Sequence, residues 1–324
     1  MKRNSCEFIS RQDTVLLQAV AVSRMVWHHL FGFPERIAVP YFLPLGFVET
    51  LLAYFGKICV AMFAFLSGYG MQKKAGGAGY RDIWKHLLKF YRRYWAVFLV
   101  FVPLGLCLKV YGFQWKTMLK GVLGLTTAYN AEWWYITSYL KAMILFPLLR
   151  WAMDWAERRG AAAFHSLTLA LLMVFLLTGF DNVVVYLIEG MYFARTPIFG
   201  WLDKKIGLPQ WITGGMLVGA VFVLRTLGVR DWLLVPAMIM GTALLVSHSK
   251  VLAWFRPVLM FVGKYSTYIW LTHTFFAYYH FQKLTYLPWC SWLIFLWCMA
   301  LCLVFGMAAE KVLAWIEKRQ EKRT

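Results

Sequence analysis

The chain has 324 residues, of which 61% are hydrophobic, with a mean hydropathy of +0.58 and a formal net charge of +19. Apolar stretches long enough to span a bilayer recur along its whole length, which makes it a polytopic membrane protein and excludes a soluble enzyme. The charge reads as a topology signal and a match to anionic lipid headgroups rather than as a nucleic-acid surface, and no RNA- or DNA-binding motif is present.

Ten helical spans are predicted in chain order, at roughly 14–31, 49–71, 90–110, 132–150, 162–180, 183–202, 209–225, 232–248, 257–280 and 289–311. With a cytoplasmic N-terminus the inner loops and termini collect 22 Lys and Arg, against seven in the outer loops. The expected architecture is an all-α bundle of about ten transmembrane helices, forming one domain over 1–324, with both termini cytoplasmic. The first span lacks a small-residue cleavage site and is expected to stay in the protein.

The Gly-rich stretch "KKAGGAGYRD" at 73–82 lacks the Gly-Lys-Ser/Thr element of a phosphate loop and reads as a short cytoplasmic connection. Of the six cysteines, Cys59, Cys107, Cys298 and Cys302 fall within spans, Cys6 is cytoplasmic and Cys290 approaches the outer face. No disulfide framework is expected.

Ionisable groups at membrane depth are costly, so each marks a candidate site. They are Arg24, Lys57, Lys141, Glu189, Arg195, Lys264 and the histidines His28, His29 and His273. Topology sorts them by depth. "RMVWHHLFGFPER", Arg24 to Arg36, puts His28 and His29 at the outer end of the first span; His273 lies in the outer half of the ninth. "NAEWWYI", Asn130 to Ile136, brings Glu132, Trp133 and Trp134 to the same level. Imidazole and aromatic groups there suit a sugar and a proton transfer.

The inner level differs. "FLSGYG", Phe65 to Gly70, closes the second span, and Tyr91, Arg92 and Arg93 open the third. Hydroxyls, glycines and paired guanidinium groups suit a phosphate-bearing ligand from the cytoplasm. Gln18 and His29, eleven residues apart, share a helix face about 16 Å apart.

Plainer readings stand beside these. The histidines and tryptophans could be interfacial anchors, Arg92 and Arg93 positive-inside anchors, and Ser67-Gly68 a close helix contact. Glu189 and Arg195 are expected to neutralise one another or a neighbour. A metal site of His28, His29, His273 and His280 has no supporting spacing such as HExxH, so no metal is expected.

Together these residues resemble the acyltransferase family 3 integral membrane proteins, over nearly the whole chain. "QAVAVSRMVWHH" aligns His29 with the histidine of the family's first motif. "MFAFLSGYGM" at 62–71 and "WWYITSYLKAMILFP" at 133–147 resemble its Phe-rich Ser-Gly and Trp-led elements. "RTPIFGWL" at 195–202 and "FVGKYSTYIWLTHTFF" at 261–276 resemble two later ones. One departure stands out: the family's basic residue eleven positions before the histidine is Gln18 here.

The resemblance implies a multi-pass O-acyltransferase of the bacterial plasma membrane. It would move an acyl group, most simply acetyl, from cytoplasmic acyl-CoA to a hydroxyl of an envelope glycan or glycolipid. Acyl-CoA is then a donor substrate, and no permanent cofactor is implied. His29 would be the general base, suited to that role by an unperturbed imidazole pKa near ~6.5. Arg92, Arg93, Ser67 and Tyr69 would hold the donor; Trp133, Trp134, Glu132, His273 and His28 would hold the acceptor. A carrier or channel for a small precursor or amino acid on the same scaffold is the alternative, and coenzyme A binding separates the two.

Overall fold

The computed structural model describes residues 8–74 and 79–321. Lys2, Arg3 and Cys6, part of the Gly-rich connection (75–78) and Lys322 and Arg323 fall outside them. The described residues are helical, with one isolated extended pairing, Phe42 with Cys290.

The first six helices are α1 (Arg11–Phe31), α2 (Phe47–Phe55), α3 (Cys59–Lys73), α4 (Tyr80–Cys107), α5 (Trp115–Val122) and α6 (Trp134–Glu157). Then come α7 (Ala161–Thr178), α8 (Asn182–Arg195), α9 (Ile198–Ile206), α10 (Gln210–Thr226), α11 (Asp231–His248) and α12 (Lys250–Lys264). The last three are α13 (Ser266–Thr274), α14 (Gln282–Thr285) and α15 (Ser291–Glu321). Between them lie 3-10 turns at Pro34–Arg36, Gly56–Ile58 and Ala131–Trp133, and a π-helical turn at Phe275–Tyr279.

Helices occupy all ten predicted segments, but five stretches among the described residues are long and apolar enough to cross a membrane on that ground alone. They are Phe47–Lys73, Tyr80–Cys107, Ala161–Thr178, Asp231–His248 and Ser291–Glu321. The pair α9 and α10 meets the same test jointly, with a bend of 109° between them. The rest differ for local reasons. The segment 183–202 is divided at Thr196-Pro197, because proline cannot donate to the preceding turn and restricts the residue before it. The segment 257–280 is interrupted at Tyr265 and again loosened by the π turn. Helix α5 is short and amphipathic and was not expected as an element. Its C-terminal carbonyls are capped from α4 by Tyr94 Oη to Gly121, Trp95 Nε1 to Val122 at 2.9 Å and Tyr91 Oη to Leu123 at 2.7 Å.

The chain forms two compact units that interleave in sequence. Unit 1 comprises Met1–Ala21, Ile58–Trp84 and Ser138–Gly263. Its first helix starts in a reciprocal cap, in which Ser10 and Asp13 satisfy each other's backbone N–H groups at 3.2 and 2.9 Å. Ser247 Oγ also donates to Asp13 at 2.9 Å. Close helix packing through small residues holds this unit: Gly68 of α3 lies against the Leu187 carbonyl of α8, and Gly190 of α8 against the Phe65 carbonyl of α3. Arg195 is buried between Asp154 at 2.5 Å and Glu157 at 2.8 Å, with Gln72 at 3.3 Å. Its neutralising partners are thus acidic residues of α6, and Glu189 is not among them.

Unit 2 comprises Val22–Lys57, Lys85–Thr137 and Lys264–Thr324. Its core is aromatic: Trp133 is 1% exposed and meets Tyr94 at 5.0 Å and Phe275 at 5.4 Å between ring centroids. Helix α15 packs on α13 where Gly306 faces Tyr268.

A methyl group at Gly190 has no space beside the Phe65 carbonyl, whereas one at Gly215 of α10 meets nothing within 4 Å. Gly190→Ala is therefore expected to destabilise the protein by about 1–3 kcal/mol, and Gly215→Ala to be near neutral. Thermal unfolding of the two variants in detergent checks this.

Candidate active site

A helix leaves its last carbonyls without internal partners, and how α1 resolves this fixes the histidine pair. Gly32 N donates to His28 O at 2.7 Å, the Tyr278 hydroxyl donates to His29 O, and the Tyr286 hydroxyl donates to Leu30 O at 2.7 Å. The end of α1 is thereby tied to the chain following α13.

The two histidines have different surroundings. His28 Nδ1 lies 2.7 Å from the Ala53 carbonyl and so carries the proton. Gly56 allows the approach, since a Cβ there would stand 2.8 Å from His28 Cβ. His28 therefore docks α1 on α2. His29 makes no such bond. Its Nε2 stands 3.9 Å from Glu132 Oε2, an ion-pair distance beyond hydrogen-bond reach, and its buried Nδ1 has no partner among the described residues. Phe33 stacks on its ring at 5.8 Å, and the His273 ring centre is 5.0 Å away.

His273 is fully buried, and its Nδ1 faces the carbonyls of Trp270 at 2.8 Å and Ile269 at 3.1 Å. The proton therefore sits on Nδ1 and leaves a lone pair on Nε2, which has no partner among the described residues. Glu132 is held on both sides. Arg36 Nη1 donates to its Oε1 at 2.9 Å, and Asn130 Oδ1 accepts from its backbone N–H at 3.0 Å, capping the turn Ala131–Trp133. Asn130 Nδ2 in turn donates to Thr274 Oγ1 at 2.7 Å. Buried polar groups of this kind persist only when bonded, so Asn130 sets where Glu132 stands.

The sequence reading placed both tryptophans at an acceptor. The structure separates them: Trp133 is in the core with its indole N–H on Leu271 O at 3.3 Å, while Trp134 is 43% exposed. Ser67 and Tyr69 lie in unit 1, where the serine donates to the Phe63 carbonyl at 2.8 Å and the tyrosine is buried over Phe65.

Arg92 and Arg93 lie at the other end of unit 2, in an open groove of about 480 Å³ between α4 and α15. Lys85, Lys89, Arg92 and Arg93 face Glu310 and Glu317 across it, four cations against two carboxylates. Arg92 pairs with Glu317 at 2.5 Å and Arg93 with Glu310 at 2.7 Å. Helix α15 links both ends. Trp292 packs on Trp27, two residues before His29, at 4.6 Å, and the eighteen residues from there to Glu310 rise about 27 Å, near the thickness of a bilayer core.

The family model described as an acyltransferase domain matches residues 15–311, and the chain belongs to this family, acyltransferase family 3. It is a membrane acyltransferase. No curated protein and no solved structure matches it.

Sequence reasoning missed three residues here. Arg36 counted only as an outer-loop charge, and Tyr278 carried no signal of its own. Glu49 lay at the edge of a span and was passed over, yet it is fully buried, accepting from Ser291 Oγ and from Leu45 N at 3.0 Å. A carboxylate beginning an apolar run was the signal available for Glu49.

Asn130→Ala removes both the cap and the bond to Thr274 and is expected to cost about 1–2 kcal/mol. Asn130→Asp keeps the capping oxygen and should cost less, as thermal unfolding in detergent would register.

Proposed function

We propose that the protein transfers an acyl group, most simply acetyl, from cytoplasmic acyl-CoA to a hydroxyl of an envelope sugar or glycolipid, with His29 as general base. The supporting observation is the asymmetry of His29: one ring nitrogen faces a fixed carboxylate, and the other is buried and unpartnered among the described residues. In an acyltransferase family member this is the arrangement expected of a base whose second nitrogen is oriented by an acid.

In this reading the charge of Glu132, 3.9 Å away, favours the His29 proton on Nε2, which leaves the reactive lone pair on Nδ1. The acceptor hydroxyl gives its proton to Nδ1 as its oxygen bonds to the thioester carbonyl carbon. The carbon–sulfur bond breaks, and the departing coenzyme A thiolate takes up that proton. The exposed Trp134 would offer the acceptor an apolar face, while the buried His273 ring stands beside His29.

The donor enters at the other end, with its phosphates in the groove of Lys85, Lys89, Arg92 and Arg93. Guanidinium groups suit phosphate by geometry as well as charge, and Glu310 and Glu317 occupy that role before the donor arrives. Ser67 and Tyr69 take no covalent part in this reading. Charge asymmetry supports ten spans with both termini cytoplasmic in a bacterial plasma membrane. Arg92 and Arg93 then face the compartment that holds coenzyme A.

The test uses the full chain in nanodiscs with labelled acetyl-CoA and a panel of envelope acceptors, read by mass spectrometry. Label transfer is expected in the wild type and lost in His29→Ala. Arg93→Gln should raise the KM for acetyl-CoA about 10-fold, a loss of one phosphate contact, with kcat retained. A wild type that neither transfers label nor binds coenzyme A would remove this reading and favour the carrier.

A further inference from the structure

His29 and Glu132 face each other across 3.9 Å, and nothing in the chemistry proposed above holds them in register. Two other side chains link the halves, Arg36 by its bond to Glu132 and Tyr278 by its bond to the His29 carbonyl. Arg36 gives its Nη1 to the Glu132 oxygen that does not face His29, at 2.9 Å, leaving the other oxygen directed at the imidazole. Its guanidinium also lies over Phe33 at 4.5 Å and over Tyr278 at 5.5 Å, and Phe33 is the ring stacked on His29. Tyr278 completes the circuit, because its hydroxyl donates to the carbonyl of His29 itself.

The backbone around these side chains is fixed as well. Gln282 donates to Arg36 O at 2.9 Å and accepts from Ala38 N at 2.9 Å, which clamps the segment carrying Arg36. Tyr279 accepts from Ala131 N at 3.0 Å, next to Glu132. Tyr278 and Tyr279 both lie on the π turn Phe275–Tyr279. Such a turn adds one residue to the helical repeat and swings adjacent side chains apart, a distortion frequent at functional sites. Here it sends one tyrosine to His29 and the next to the Glu132 turn.

We propose that Arg36 and Tyr278 are positioning residues: they act on His29 through Glu132 and through the His29 backbone, without touching substrate. The role assigned to His29 rests on the proposed function, but the coupling among these side chains does not. The charged and titratable groups facing His29 are His28, His273, Tyr278, Arg36 and Glu132, and the test isolates the last two.

The experiment measures the rate at which brief diethyl pyrocarbonate treatment modifies His29 in the full chain in nanodiscs, resolved by peptide mass spectrometry. The variants are Arg36→Gln, Glu132→Gln, their combination, Arg36→Lys and Tyr278→Phe. His165, bonded to Tyr192 in the other unit, reports on folding in the same digest. Arg36→Gln and Glu132→Gln should each change the His29 rate about 5-fold, and the double variant should do no more than the larger single change, as coupled residues require. Arg36→Lys should return the rate toward the wild type, and His165 should not respond.

A His29 rate within about 2-fold of wild type in Arg36→Gln, or effects that multiply in the double variant, would overturn the proposal. Should Arg36→Gln disturb His165, Tyr278→Phe decides, since it removes one hydroxyl and keeps the ring: an unchanged His29 rate there rejects the circuit. In a wild type active with acetyl-CoA, kcat should follow the His29 rate while KM stays constant. A wild type without transfer defeats the proposed function and leaves the modification rates to judge the positioning.

Discussion

The carboxylate of Glu132, divided between Arg36 and His29, is the interaction on which the histidine end of unit 2 depends. One oxygen is committed to a charge-assisted bond at 2.9 Å, and the other faces an imidazole that it does not quite reach. A carboxylate as little exposed as this one needs such a partner, and here the partner also fixes its direction. Asn130 holds Glu132 through the backbone and Thr274, while Tyr278 and Tyr286 tie down the end of α1 that carries His29. The site is rigid because groups that need satisfying anyway, namely helix-end carbonyls and a buried amide, are satisfied by each other.

The end of the unit that carries Arg92 and Arg93 follows a different logic. Its cations are in an open groove, partly exposed, and their pairing with Glu310 and Glu317 is of the screened kind that contributes little to stability. Weak pairing is useful where a phosphate must take the carboxylates' place. Helix α15 connects the two ends across about 27 Å, and in the proposed reaction an acyl group delivered at the Arg92 end would have to cover that distance before it meets His29. A long flexible donor arm suits that distance better than a rigid one.

Much of this was legible in the sequence. Hydropathy placed a helix in each predicted segment, because apolar runs of ~20 residues have few alternatives to helix in lipid. The outer grouping of His29, His273 and Glu132 followed from assigning direction to each span. Less legible were features set by contacts distant in sequence. Arg36 and Glu132 are 96 positions apart, and neither is unusual by itself. The burial of Trp133 beside an exposed Trp134 depends on a one-residue rotation at a 3-10 turn, which periodicity does not resolve. The breaks at Pro197 and Tyr265 interrupt segments that hydropathy reads as continuous.

The central claim is that an acyl group enters at the groove of Arg92 and Arg93 and is delivered at the opposite end, beside His29. Sidedness tests it most directly: sealed vesicles of known orientation, given labelled acetyl-CoA on one face and envelope acceptor on the other. The account predicts transfer only when acetyl-CoA is on the face bearing Arg92 and Arg93 and the acceptor is on the face bearing His29. Transfer with the two substrates exchanged, or only with both on one face, would contradict it.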